Sequence, residues 1–186
     1  MFISDNFTNR KVKTMNKIKI STIVFFVMLA LITTSVAIAK PDPQRDFVAT
    51  LTGAEEVPAR ATAARGTARF EVSQDETELH YVLNVVKIRN VFAAHIHCGA
   101  FGVNGPVGVT LFMGTPGGGL FSGVLAEATV TAPDPGNACG WATLADVVSA
   151  MRSGNTYVNV HTNDGVAPTN TGPGDFPGGE IRGQVK

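Results

Sequence analysis

Leu79, Tyr81, Leu83 and Val85 fall on one side of an extended chain, with His80 and Asn84 on the other. A period of two is the pattern of a half-buried strand, so residues 78–86 are expected to form one, with His80 at the surface. Similar short runs recur at 46–52, 66–73, 91–97, 107–112, 123–131, 156–161 and 179–185, each bounded by turn-forming residues. The polar run Gln74-Asp-Glu-Thr77 predicts a hairpin between the second and third strands. Together these segments predict an all-β fold: a Greek-key-like antiparallel β-sandwich of about eight strands, without βαβ units.

One stretch changes period. Within residues 141–154, Leu144, Val147, Val148 and Met151 follow the spacing of a helix face, and Ser153-Gly-Asn155 supplies the stop. This predicts one short helix lying across an open end or edge of the sandwich. Residues 163–179 are rich in Gly, Pro, Asn and Thr and are expected to form a long loop.

The beginning of the chain has a different character. Arg10, Lys11, Lys13, Lys17 and Lys19 precede an apolar run, residues 20–38, which ends in Ala37-Ile-Ala39. A basic head, an apolar middle and a small-x-small end are the plan of a secretory signal peptide, expected here over 1–39, with Met15 as an alternative start. The rival is a membrane anchor, since about 18 apolar residues can span a bilayer. Thr33, Thr34 and Ser35 interrupt the run and the cleavage site follows at once, which favours the signal and predicts no membrane span in the remainder. A lead-in over 40–45 and one domain over 46–186 would follow. Of 15 basic and 15 acidic residues, five and one leave with the signal, so the remainder carries 10 against 14, about −4. Such a balance argues against nucleic acid as a partner. Secretion, or residence in a periplasm or cell envelope, also bears on Cys98 and Cys139, the only cysteines: a disulfide between them is the expectation, with free thiols or metal ligation as alternatives.

The candidate chemistry is carried by histidines. In a strand, His95 and His97 emerge on one face while Ala94 and Ile96 take the other. In 156–161, Tyr157, Asn159 and His161 likewise share a face, opposite Val158 and Val160. Were the two strands adjacent, three imidazoles would converge on one ion, a borderline ligand set suited to copper or zinc over magnesium or calcium. Histidines that are merely solvated or hydrogen-bonded are the competing reading. Asp164, Asp175 and Glu180 are candidate additional ligands, and the loop bearing Asn163, Asp164 and Asp175 is a candidate surface for a partner protein. Gly99, Gly102, Gly105 and Pro106 read as bends that return the chain into the next strand. Glu55 and Glu56 read as a solvated turn, one of them free to bond a neighbouring backbone. Glu180 and Arg182 read as an ion pair or a capping contact to a loop. No serine has the setting of a nucleophile.

Four stretches carry a family resemblance. Phe47-Val-Ala-Thr-Leu-Thr-Gly-Ala-Glu-Glu-Val-Pro58, Ala94-His-Ile-His-Cys-Gly-Ala-Phe-Gly-Val-Asn-Gly-Pro-Val107, Tyr157-Val-Asn-Val-His-Thr162 and Gly178-Gly-Glu-Ile-Arg-Gly-Gln184 together resemble the CHRD domain, the module named after chordin and found singly in microbial exported proteins. The resemblance implies a binding role outside the cell, with an extracellular protein as partner, and not a conventional enzyme. More weakly, the strands bearing His95, His97 and His161 are similar to the copper-binding strands of copper,zinc superoxide dismutase. That similarity implies a copper site at the three histidines and, as an alternative function, a mononuclear copper redox enzyme. The chain departs from the dismutase pattern in offering no histidine to bridge two metals, which puts the activity in doubt. A structural or adhesion module of the cell envelope is the third reading.

Overall fold

Alternation in sequence becomes alternation in burial. Along β1 (Asp46–Thr52), Phe47, Ala49 and Leu51 are buried between exposed Asp46, Val48 and Thr50. β2 (Arg65–Val72) and β3 (Leu79–Arg89) repeat the pattern, and they pair as the expected hairpin with Tyr81 opposite Phe70. β4 (Val91–Cys98), β5 (Val107–Met113), β6 (Leu120–Val130), β7 (Thr156–Thr162) and β8 (Ile181–Gln184) complete the sheet. The computed structural model describes residues 43–186, so the expected signal peptide and the start of the lead-in lie outside the described residues. Among the described residues no helix is long and apolar enough to cross a membrane.

All eight strands join one antiparallel sheet in the order β5-β4-β7-β8-β1-β2-β3-β6. The sandwich is therefore one nearly closed sheet: it curls until its edge strands, β5 and β6, approach each other. Inward side chains, including Leu51, Phe70, Leu79, Leu83, Ile96, Val158, Val160 and Ile181, form one apolar core. Closure needs β8 and β1 to meet tightly, and a side chain on Gly183 would run into the backbone of Thr50 and Leu51. Glycine there lets β1 pair with the segment that carries β8, with Val48 and Lys186 exchanging backbone hydrogen bonds of 2.9 and 3.0 Å.

β3 runs three residues past the expected end because a bulge resets its phase. Lys87 adopts φ 56°, the register with β6 shifts between Val85 and Ile88, and Ile88 instead of Lys87 turns inward. The helix, α1 (Leu144–Arg152), buries the four predicted residues Leu144, Val147, Val148 and Met151 in the common core. Thr143 caps it: its hydroxyl accepts from the Asp146 N–H, and the Asp146 carboxylate accepts from the Thr143 N–H. Such a reciprocal cap stabilises a helix start by about 1 kcal/mol. Arg152 anchors the other end to the β2–β3 turn through Glu76 at 2.7 Å.

Candidate metal centre

β4 and β7 are neighbours in the sheet, and their register sets the site. Ala93 stands opposite His161, His95 opposite Asn159, and His97 opposite Tyr157. Ala94, Ile96, Val158 and Val160 point into the core and are fully buried, so the histidines occupy the outer face. That face is nonetheless covered: His97 and His161 are 7 % and 8 % exposed, and every residue of β7 is buried. One ring nitrogen from each of His95, His97 and His161 lies within 4.8 Å of the others.

The partners of the other ring nitrogens fix the tautomers. His97 Nδ1 is 2.9 Å from the Gly105 carbonyl and His161 Nδ1 is 2.8 Å from the Pro177 carbonyl. A carbonyl only accepts, so each Nδ1 carries the proton and each Nε2 presents a lone pair. His97 Nε2 is buried with no hydrogen-bond partner among protein groups, and His161 Nε2 faces His95 Nδ1 at 3.1 Å. Metal-binding histidines characteristically donate their second ring nitrogen to a carbonyl or carboxylate in this way. Burial holds the rings neutral. It pushes His95 down to about 4, helped by His161 and His97 and opposed by the Asp134 carboxylate. It pushes His97 to about 4, opposed by its bond to Gly105, and lowers His161, opposed by its bond to Pro177. Neutral imidazoles are the form a metal requires.

A family model for the CHRD domain matches residues 47–185, nearly the whole of the described sheet. The chain belongs to the CHRD domain family. Neither a curated protein nor a solved structure matches the chain. CHRD domains are binding modules, and the covered face of this one is its polar concentration.

Three loops cover the face of this CHRD domain. The segment 99–106 supplies the Gly105 carbonyl and is tied down by the Cys98–Cys139 disulfide, which forms as expected. It is held again by Tyr157, whose hydroxyl accepts from the Gly105 N–H at 3.0 Å. The His97 ring stacks on Tyr157 with centroids 4.7 Å apart, and the Arg182 guanidinium lies 3.4 Å above the Tyr157 ring centroid. Arg182 is 1 % exposed and donates to Asn104 Oδ1 and to the carbonyls of Ala100 and Val103. Of the two alternatives read for Glu180 and Arg182, the capping contact to a loop is the one present. Glu180 accepts instead from the hydroxyls of Thr62 and Thr162 and from the Gly174 N–H, at 2.6 to 2.7 Å. Its role is to clamp the second loop, 163–180, and it is not grouped with the histidines.

The third loop corrects the reading of the paired glutamates. A 3-10 turn at Gly53–Glu55 tucks Glu56 inward, where it is 5 % exposed and its two carboxylate oxygens each accept from Asn159 Nδ2 at 3.1 Å. Burial raises its pKa to about 7, opposed by Arg182, Arg60, the Val57 N–H and Asn159. Glu55 does bond a backbone, accepting from the Gln184 N–H at 3.4 Å. Asp164 and Asp175 are not grouped with the histidines either. Asp164 accepts from the Val166 N–H, whereas Asp175 is 2 % exposed and turned into its own loop, accepting from the Thr171 N–H and hydroxyl. Asn163 accepts from the Gly165 N–H. Two contributors had no signal in residue type: the Gly105 and Pro177 carbonyls are backbone groups. Asp134, which accepts from the Thr110 N–H and hydroxyl beside His95, could have been noticed only once β5 was set against β4.

Proposed function

We propose that this CHRD domain is an exported binding module that holds one copper or zinc ion through His95, His97 and His161. The observation that carries the reading is the pair of oriented imidazoles: His97 and His161 each donate Nδ1–H to a loop carbonyl, which leaves each Nε2 a lone pair, and one nitrogen from each of the three rings lies within 4.8 Å of the others. Three neutral nitrogen ligands suit copper and zinc and leave room for water in the remaining position. The disulfide fits an oxidising compartment outside the cytoplasm. The outer part of the 163–180 loop, with Asn163 and Asp164 near its start, is the surface proposed to meet an extracellular protein.

Elemental analysis and metal titration of the purified protein test the reading. One copper or zinc per chain is expected. His97→Ala should weaken binding by more than the 10–100-fold typical of losing an outer partner of a ligand. A parent protein that takes up neither metal, or a His97→Ala variant that binds as tightly as the parent, would overturn it.

A further inference from the structure

Asn159 stands at the centre of the histidine face and is 4 % exposed. It is directly across the ladder from His95 and two residues from His161 on the same side of β7. Its Nδ2 lies 3.1 Å from both carboxylate oxygens of Glu56. With its NH2 end on both Glu56 oxygens, the amide has its oxygen end turned away from the carboxyl group. That oxygen has no hydrogen-bond partner among protein groups, although it is buried.

A buried acceptor left in this state costs about 1–3 kcal/mol, and native proteins keep few of them without a reason. The surroundings deepen the deficit. His97 Nε2 is a second buried acceptor without a donor, and His161 Nε2, an acceptor by its tautomer, has the His95 ring as its donor at 3.1 Å. The face thus leaves two buried acceptors unmet, which suits a water held and polarised by a cation. The enclosure is close. Gly179 packs directly on the pair, and any side chain there would overlap both amide atoms of Asn159 and Oε1 of Glu56.

We propose that Asn159 is a positioning residue of the metal centre, its side-chain oxygen aimed by Glu56 to accept a hydrogen bond from the water that completes the coordination of the metal. The inference rests on the three-histidine reading above. It adds a polar pair, Glu56 and Asn159, whose purpose is to orient what the metal holds.

Cobalt(II) is the probe, because its visible spectrum reports both coordination and the ionisation of a bound water. Asn159→Leu keeps the three histidines and removes the acceptor. It should bind cobalt 10–100-fold more weakly than the parent and shift the pH midpoint of the cobalt spectrum. A purely structural Asn159 would lower stability and leave both readouts of the folded protein unchanged, and that result would overturn the proposal. Should the leucine variant fail to fold, Glu56→Gln replaces it, since glutamine both donates and accepts and no longer dictates which end of the Asn159 amide faces the site. A loss of about tenfold is expected there, the low end of the same range. Parental affinity and spectrum in Glu56→Gln would again overturn the proposal. Failure of the parent itself to bind cobalt, copper or zinc would remove the three-histidine reading and this one with it, whereas tight parental binding abolished by His97→Ala but indifferent to Asn159 would remove this one alone.

Discussion

The outer surface of the sheet has two halves built from the same alternating pattern and finished differently. On β1, β2 and β3 the outward residues Asp46, Thr50, Arg69, Glu71 and His80 are exposed, and water satisfies them. On β7 and β8 every residue is buried, because three loops lie over the outward side chains. Polar groups on the open half need no particular partner. On the covered half each must find one inside the protein, and those left without one call for an explanation. Among the described residues, all five buried side-chain atoms without a partner come from β4, β7, β8 or the 163–180 loop: His97 Nε2, Thr156 Oγ1, Asn159 Oδ1, Asp175 Oδ1 and Gln184 Oε1. The open half has none.

The largest test of this contrast sets two arginines against each other. Arg182→Ala strips the covered half of a buried guanidinium and abandons the acceptors on Ala100, Val103 and Asn104. A loss of roughly 3–5 kcal/mol is expected from urea unfolding, as for other buried charged hydrogen-bonding groups. Arg69→Ala, on the exposed face between Val48 and Val82, should cost no more than about 0.5 kcal/mol. Comparable losses in the two variants would mean that coverage by the loops does not change what a polar side chain contributes.

A smaller effect depends on pH. Glu56 has its pKa raised by burial from 4.5 to about 7, so between these values the folded chain binds a proton that the unfolded chain releases. Its contribution is complete below pH 4.5 and is lost as the pH rises through about 7, a change on the order of 3 kcal/mol. Glu56→Gln cannot titrate. Subtracting its unfolding free energy from that of the parent cancels the histidines, which titrate in both, and should leave a difference that falls with rising pH across this window. A flat difference from pH 4.5 to 8 would show that Glu56 is as well solvated as its sequence context suggested.

That sequence context explains what could and could not be read in advance. The strands were legible because one residue in two is apolar, and α1 because Leu144, Val147, Val148 and Met151 break that rhythm. The convergence of His95, His97 and His161 was half legible. Each strand shows its own face, but adjacency of β4 and β7 is a property of the strand order, which separates them by two strands and a helix in sequence. Glu56 misled because Glu-Glu-Val-Pro reads as solvated surface, and only the 3-10 turn before it carries the carboxylate inward. Glu180 and Arg182 left two readings open, an ion pair or a capping contact to a loop, and the second holds. Opposite charges two apart on a strand suggest each other as partners, yet the neighbouring loops offer each of them better hydrogen bonds.

The smallest effect is expected of the fourth histidine, and its smallness is informative. His80 has the same outward position on β3 that His95 has on β4, but no loop covers it. Its Nε2 is 3.5 Å from Glu127 Oε1, and the two side chains are 46 % and 57 % exposed. An exposed pair of this kind contributes within about 0.5 kcal/mol. His80→Ala should therefore leave both the unfolding midpoint and the number of metal ions bound per chain where they were. If the metal count instead falls with His80 and survives the loss of His97, the ion sits on the open half. The loops over β4, β7 and β8 would then be covering a polar face for a reason unrelated to metal.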